Sequence, residues 1–97
     1  MLLGQKIKEL RMKNGVLQRQ LDSLLEIDTP MFSKIERGDR RAKRTQVILI
    51  ANYFNVDEKE LLTLWVADKV LDAVVGEDEF KLEAIKVAQT KMLQAVD

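Results

Sequence analysis

The order of apolar and polar residues along the chain predicts a series of short α-helices. In the first of them Leu3, Ile7 and Leu10 recur at steps of four and three, which is the spacing of one helix face. Asn14 and Gly15 then end the pattern. Similar patterns predict helices over residues 3–13, 18–25, 29–35 and 45–54, a fifth from residue 57 to 76, and a sixth after residue 79. We therefore expect an all-α fold.

The second and third predicted helices are joined by a very short connection. Only three residues separate segments 18–25 and 29–35, which is the spacing of a helix-turn-helix. Asp28 is a favourable N-cap for the third helix, and Pro30 lies in its first turn, where a missing N–H does no harm. Gly38 follows the end of this helix. The turn and both ends of the third helix are thus predicted by local sequence.

The third helix has two distinct sides. Met31, Phe32 and Ile35 are placed to be buried on one side. The opposite side carries residues three and four apart, namely Thr29, Pro30, Ser33, Lys34 and Arg37. A helix side with this mixture of polar, charged and apolar residues is either ordinary solvated surface or a surface that recognises a ligand.

The fifth and sixth helices carry more apolar residues than one neighbour can cover. Two adjacent apolar rows follow one another along the fifth helix, and the pattern resumes in the sixth. We therefore predict that residues 63–97 form a helical hairpin that pairs with another copy of the chain. The predicted dimer interface consists of Trp65, Val66, Val70, Leu71, Val74, Ile85 and Met92.

Composition limits the classes of function. The 97 residues, 46% of them hydrophobic, suit one domain with a modest core. The chain has no cysteine and no histidine, so it lacks thiolate chemistry and the commonest general base and metal ligand. No apolar run approaches the roughly 20 residues that span a bilayer, and the N-terminus becomes charged too early for a signal peptide. We expect a cytoplasmic protein that is not an enzyme and needs no cofactor or metal.

The net charge of zero hides a division between the two halves of the chain. Residues 1–44 carry 11 Lys or Arg against 6 Asp or Glu, whereas residues 45–97 carry 5 against 10. Such asymmetry suits a protein that turns its basic half towards a polyanion. Two solvated surfaces of different composition are the simpler alternative.

A set of spaced residues resembles a known family. The segments IKELR at 7–11 and SKIERG at 33–38, together with Gln18, Leu21 and Ile27, resemble the lambda-repressor/Cro type of helix-turn-helix, the XRE family of phage and bacterial regulators. The resemblance covers residues 3 to about 62. It implies a five-helix, lambda-repressor-like DNA-binding domain over residues 1–62, with the fifth helix extended into the C-terminal hairpin.

The resemblance also implies roles for individual residues. It pairs Arg11 with Glu36, although two exposed charges worth little are the alternative. It implies that Thr29, Pro30, Ser33 and Lys34 contact DNA bases. The lysine side chain can donate a hydrogen bond to guanine. The implied phosphate contacts are Gln18, Arg37, Arg40, Arg41, Lys43 and Arg44. For these residues too, plain solvated surface is the alternative.

Two acids depart from the family pattern. The family favours alanine at the position of Asp22, for close helix packing, and glycine at that of Glu26, for a left-handed turn residue. The acids predict either a different turn geometry or a more open packing of the two helices. Both would also lie close to DNA phosphates.

Taken together, the patterns predict a homodimeric, sequence-specific regulator that binds double-stranded DNA. The alternative is a protein-interaction module, such as an antitoxin or adaptor, in which the hairpin grips a protein and DNA binding is weak. Asp22, Glu26 and the net neutrality favour this alternative modestly.

Overall fold

The chain folds into α-helices throughout the part that the structure describes. The computed structural model describes residues 1–94. Its helices are α1 (Leu2–Lys13), α2 (Gln18–Leu25), α3 (Thr29–Arg37), α4 (Arg44–Tyr53), α5 (Glu58–Ala73) and α6 (Lys81–Gln94). The predicted all-α fold is confirmed, and the predicted α2 bounds match. Helix α4 starts and ends one residue earlier than predicted, and α5 ends three residues before Gly76.

The first five helices enclose one hydrophobic core. Helix α3 packs against α1 and α2, and α4 packs against α5 and α2. Each of the five helices contributes at least one fully buried side chain, from Ile7, Leu21, Phe32, Val47, Ile50 and Leu61. Burial of a side chain of this size stabilises the fold by about 1.5–3 kcal/mol. The core therefore holds α3 between its neighbours.

The N-terminus of α1 is capped from the other end of the domain. The side chain of Asp68, on α5, accepts hydrogen bonds from the backbone N–H groups of Leu2 at 2.9 Å and Leu3 at 3.0 Å. A carboxylate here satisfies two N–H groups that have no partner within the helix and complements the positive end of its dipole. Asp68 is itself buried. Packing of α5 onto the domain thus continues at least to residue 68.

Helix α1 also approaches the end of α3 very closely, at Gly4. A Cβ atom built on Gly4 would lie 2.6 Å from the carbonyl oxygen of Ile35 and still closer to that of Glu36. Only glycine leaves room for this contact. The last turn of α3 is therefore held against the backbone of α1.

Beyond Asp68 the chain turns its apolar residues outwards. Val70 and Leu71 are exposed near the end of α5, and no residue of the described α6 is buried. Within residues 1–94 no helix is long and apolar enough to cross a membrane. The C-terminal segment thus keeps helical structure with little cover from the rest of the chain.

Trp65, for which the core is the alternative to the predicted dimer interface, is buried in the core of the single chain. Only 7% of it is exposed, and its indole N–H donates to the Ala42 carbonyl oxygen at 2.7 Å. The Lys69 ammonium lies 3.7 Å from the ring centroid. Trp65 is placed with Leu61 and Asp68, at steps of four and three, on the side of α5 that faces the domain. The side of α5 that the domain covers is therefore neither of the two apolar rows, which periodicity alone did not reveal.

Candidate nucleic-acid interface

The turn between α2 and α3 adopts the left-handed geometry in spite of its acid. Glu26 has φ 56° and ψ 44°, a conformation that costs a residue with a side chain about 1–2 kcal/mol. Asp28 caps α3 as predicted, because its Oδ1 accepts the Met31 N–H at 2.8 Å. Gly38, with φ 83°, ends α3. Of the two alternatives raised by the acids, a different turn geometry is therefore wrong.

The second acid is buried between the two helices. Asp22 is 6% exposed, and its Oδ2 accepts a hydrogen bond from the Thr29 hydroxyl at the start of α3. Within the described residues its Oδ1 has no hydrogen-bond partner. Asp22 therefore lies under the surface of the motif and joins α2 to α3.

A chain of polar contacts supports α3 from behind. Arg11 Nε lies 2.8 Å from Glu36 Oε2, and Arg11 Nη2 lies 3.2 Å from Glu36 Oε1. The amide nitrogen of Gln18 donates to Glu36 Oε1 at 2.9 Å, and the Ser33 hydroxyl donates to Gln18 Oε1 at 3.2 Å. The side chains of Arg11 and Glu36 are 15% and 5% exposed, so the ion pair is largely shielded from water. This four-residue chain fixes α3 relative to α1 and α2.

The four residues predicted to read bases lie on α3, and three of them are exposed. Thr29, Pro30 and Lys34 are exposed, and Ser33 is half-buried. On the inner side Phe32 and Ile35 are buried, whereas Met31, also predicted inward, is half-buried. The exposed side presents one cation, two hydroxyl groups and an apolar ring within two helical turns.

The cations at the end of α3 and in the loop that follows it are exposed. Arg37 pairs with Asp39 at 3.1 Å, with both side chains 61% exposed. Arg41 pairs with Asp72 of α5. The Arg44 guanidinium, at the start of α4, lies 5.1 Å from the Trp65 ring centroid. Within residues 1–94, Arg40 and Lys43 take part in no ion pair.

Sequence reasoning missed the part that α5 plays in positioning this loop. The Trp65 side chain holds the Ala42 carbonyl, Asp72 holds Arg41, and Asp68 holds the start of α1. These three residues follow one another at steps of three and four, which places them on one helix side. That spacing could have been recognised in the sequence, because an aromatic residue and two acids on one side of a helix indicate that this side makes polar contacts. These contacts fix the basic loop relative to α3.

Together, these features define a five-helix, all-α helix-turn-helix domain, a class of module that binds DNA in the major groove. The family model described as "Helix-turn-helix domain" matches residues 2–64. The chain therefore belongs to the helix-turn-helix domain family, and the resemblance seen in the sequence is confirmed at that level. Neither a curated protein nor a solved structure shows significant similarity to the chain.

Proposed function

We propose that the chain is a transcriptional regulator that binds double-stranded DNA sequence-specifically as a homodimer. The observation that carries the proposal is the exposed side of α3. It is braced by the hydrogen-bonded side chains that link Arg11 through Glu36 and Gln18 to Ser33, and it is flanked by exposed cations. A rigid helix with a polar outward side suits insertion into the major groove. A regulator of this kind acts on the chromosome, so the proposal includes a cytoplasmic location. It also includes the absence of catalytic activity.

Phosphate contacts would come from both ends of the motif. Gln18 uses one amide hydrogen on Glu36 and has a second one for a phosphate oxygen. The cations of the proposed phosphate set are Arg37, Arg40, Arg41, Lys43 and Arg44. Two of them would exchange an exposed carboxylate partner for a phosphate, which costs little because exposed ion pairs contribute less than about 1 kcal/mol.

Base contacts would come from the outward side of α3. Lys34 is exposed and takes part in no ion pair within residues 1–94, and its ammonium group can donate to guanine O6 or N7. Pro30 offers only van der Waals contact, which suits a thymine methyl group. Thr29 and Ser33 complete the set.

The hairpin of α5 and α6 would form the dimer. The apolar side chains of the proposed interface remain exposed on a single chain, with 44% of Val66, 45% of Leu71 and 63% of Met92 accessible. A contiguous apolar surface of this kind marks an interaction site in a protein of this size. A two-fold dimer would place two α3 helices on half-sites about 34 Å apart.

The salt dependence of binding to random duplex DNA tests the proposal. If the five cations of one protomer contact phosphates, the slope of log affinity against log salt is about −4.5 per half-site. Lys34→Ala should weaken binding to a selected site by about 1–3 kcal/mol and binding to random duplex much less. Arg40→Ala, the matched control on the loop, should weaken both equally. A slope near zero would refute DNA binding.

A second candidate function is a protein-interaction module in which the hairpin binds another protein. The observation in its favour is that no residue of the described α6 is buried. Under this alternative the chain sediments as a monomer at micromolar concentration and binds duplex DNA weakly. A dimer with a steep salt slope would exclude it.

A further inference from the structure

We infer that the hydroxyl groups of Ser33 and Thr29 are held as hydrogen-bond acceptors and select bases that carry an exocyclic amino group. In the major groove these bases are adenine and cytosine. The inference rests on the proposed function, because it names the base chemistry that α3 would read. It follows from the order of donors and acceptors behind α3.

The direction of the hydrogen bond at Ser33 is set by the charge of the Arg11 guanidinium, which is three contacts away. The Arg11 guanidinium has only donors and the Glu36 carboxylate only acceptors. Because Gln18 lies 2.9 Å from Glu36 Oε1, its amide must turn the NH₂ group towards that carboxylate. The carbonyl oxygen of Gln18 then faces Ser33 at 3.2 Å. An amide oxygen only accepts, so the hydroxyl of Ser33 must donate its single proton inwards.

The polarity at Thr29 is set by a second buried acid. The Thr29 hydroxyl donates to Oδ2 of Asp22, which lies between α2 and α3. A carboxylate oxygen can only accept this bond. Two independent networks, one ending at Glu36 and one at Asp22, therefore use the hydroxyl protons on this side of α3.

Each hydroxyl is left with lone pairs only. Phosphate oxygens are acceptors, so neither Ser33 nor Thr29 can hydrogen-bond to them with its proton in place. Guanine offers N7 and O6, and thymine offers O4, to the major groove, and all three atoms are acceptors. Only adenine N6 and cytosine N4 carry protons there. Ser33 can therefore hydrogen-bond to an amino group of a base but not to a phosphate.

The neighbouring Lys34 has the opposite polarity. Its ammonium group only donates, so it pairs with guanine O6 or N7. Ser33 and Thr29 are four residues apart, about 6 Å along the helix axis, which spans about two base pairs at 3.4 Å each. Each half-site should therefore carry adenine or cytosine on the same strand at two positions within about two base pairs of each other, with a guanine close by.

The test begins with selection of bound duplexes from random DNA by the full chain. The DNA positions read by each hydroxyl are those at which the base preference of the wild-type chain disappears in Ser33→Ala or in Thr29→Val. We expect adenine or cytosine at both positions on one strand, with substitution by guanine or thymine lowering affinity about 10- to 100-fold. Ser23→Ala is the matched control, because Ser23 bonds only to Arg19 within α2 and should leave the selected sequence unchanged.

A chemical substitution in the DNA then isolates the amino group. Purine in place of adenine, or 2-pyrimidinone in place of cytosine, removes only the exocyclic amine. At the Ser33 position this replacement should lower the affinity of the wild-type chain about tenfold beyond its effect on Ser33→Ala. Using the same duplex for both proteins cancels the effect on base pairing.

The outcomes separate this inference from the proposed function. A selected site in which the positions read by Ser33 and Thr29 have their adenine or cytosine on opposite strands would overturn the inference and leave the regulator intact. Equal losses for wild type and Ser33→Ala on the amine-free duplex would also overturn it. Failure to enrich any sequence, with a salt slope near zero, would overturn the proposed function itself.

Discussion

Two leucines ten residues apart on α5 have opposite surroundings. Leu61 is fully buried in the core, whereas 45% of Leu71 is exposed. Both belong to the same continuous helix, and both fit its apolar pattern. The difference shows that the two parts of the helix have different surroundings: the first part completes the helix-turn-helix domain, and the last part carries apolar side chains that the described chain leaves uncovered.

The ion pairs of the two regions differ in the same way. Arg11 and Glu36 are 25 residues apart and largely shielded from water. The hairpin pairs, Lys81 with Asp78 and Lys86 with Glu83, join residues three apart on exposed surface. The domain is thus stabilised by contacts between distant segments, whereas the ion pairs of the described C-terminal segment are local.

The largest effect is expected from a charge in the hairpin. Ile85→Asp should separate the proposed dimer, because a carboxylate at an apolar interface is strongly unfavourable. Apparent affinity for a two-half-site duplex should then fall about 10²- to 10⁴-fold, since each protomer binds alone. Sedimentation and a binding titration measure both effects. Thr90→Asp, which adds the same charge elsewhere on α6, is the control, and a dimeric Ile85→Asp would contradict the proposed interface.

Inside the domain, loss of the buried acid should cost the most stability. Glu36→Ala removes the partner of Arg11 and Gln18 and leaves a shielded guanidinium unpaired. The free energy of unfolding should fall by about 3 kcal/mol, measured by urea denaturation. The exposed pair gives a matched control, because Asp39→Ala should change stability by less than about 1 kcal/mol. Equal effects of the two substitutions would show that the Arg11–Glu36 pair is no better shielded than a surface pair.

A smaller loss is expected at the contact between α1 and α3. Gly4→Ala forces a Cβ atom against the carbonyl oxygens of Ile35 and Glu36, so one of the two backbones must shift. Overpacking of this kind destabilises by about 1–3 kcal/mol. Gln5→Ala, at the next and exposed position, is the control and should be nearly neutral. An unchanged midpoint for Gly4→Ala would mean that α1 moves freely relative to α3.

The smallest effect is expected at the turn, and it should be stabilising. Glu26→Gly relieves a left-handed backbone that costs about 1–2 kcal/mol, while glycine loses about 0.5–1 kcal/mol through its greater freedom when unfolded. A net gain of about 0.5 kcal/mol should appear in urea denaturation. Glu26→Ala removes the charge but keeps the strain, so a similar gain for this variant would point to charge as the cause.

Much of the helix-turn-helix domain was predictable because its signals are local. The three-residue connection, the Asp28 cap and the glycine after α3 act within a few residues of their own positions. The side of α3 that carries Ser33 and Lys34 also follows from helical spacing. The burial of Trp65 was not predictable in this way, because Trp65 lies outside both apolar rows of α5 and shares its side of the helix with the charged residue Asp68.

By itself, the sequence determined the helices, the turn between α2 and α3, and the side of α3 that faces outwards, because periodicity and capping depend on neighbours within about four residues. Only the tertiary structure decided which side of α5 is covered and which protons remain available on α3. Those outcomes depend on partners distant in sequence, such as Asp68 with Leu2, 66 residues apart, and Ser33 with Gln18, 15 residues apart. Packing brings these groups together, and their chemistry then sets what the surface of α3 can bind.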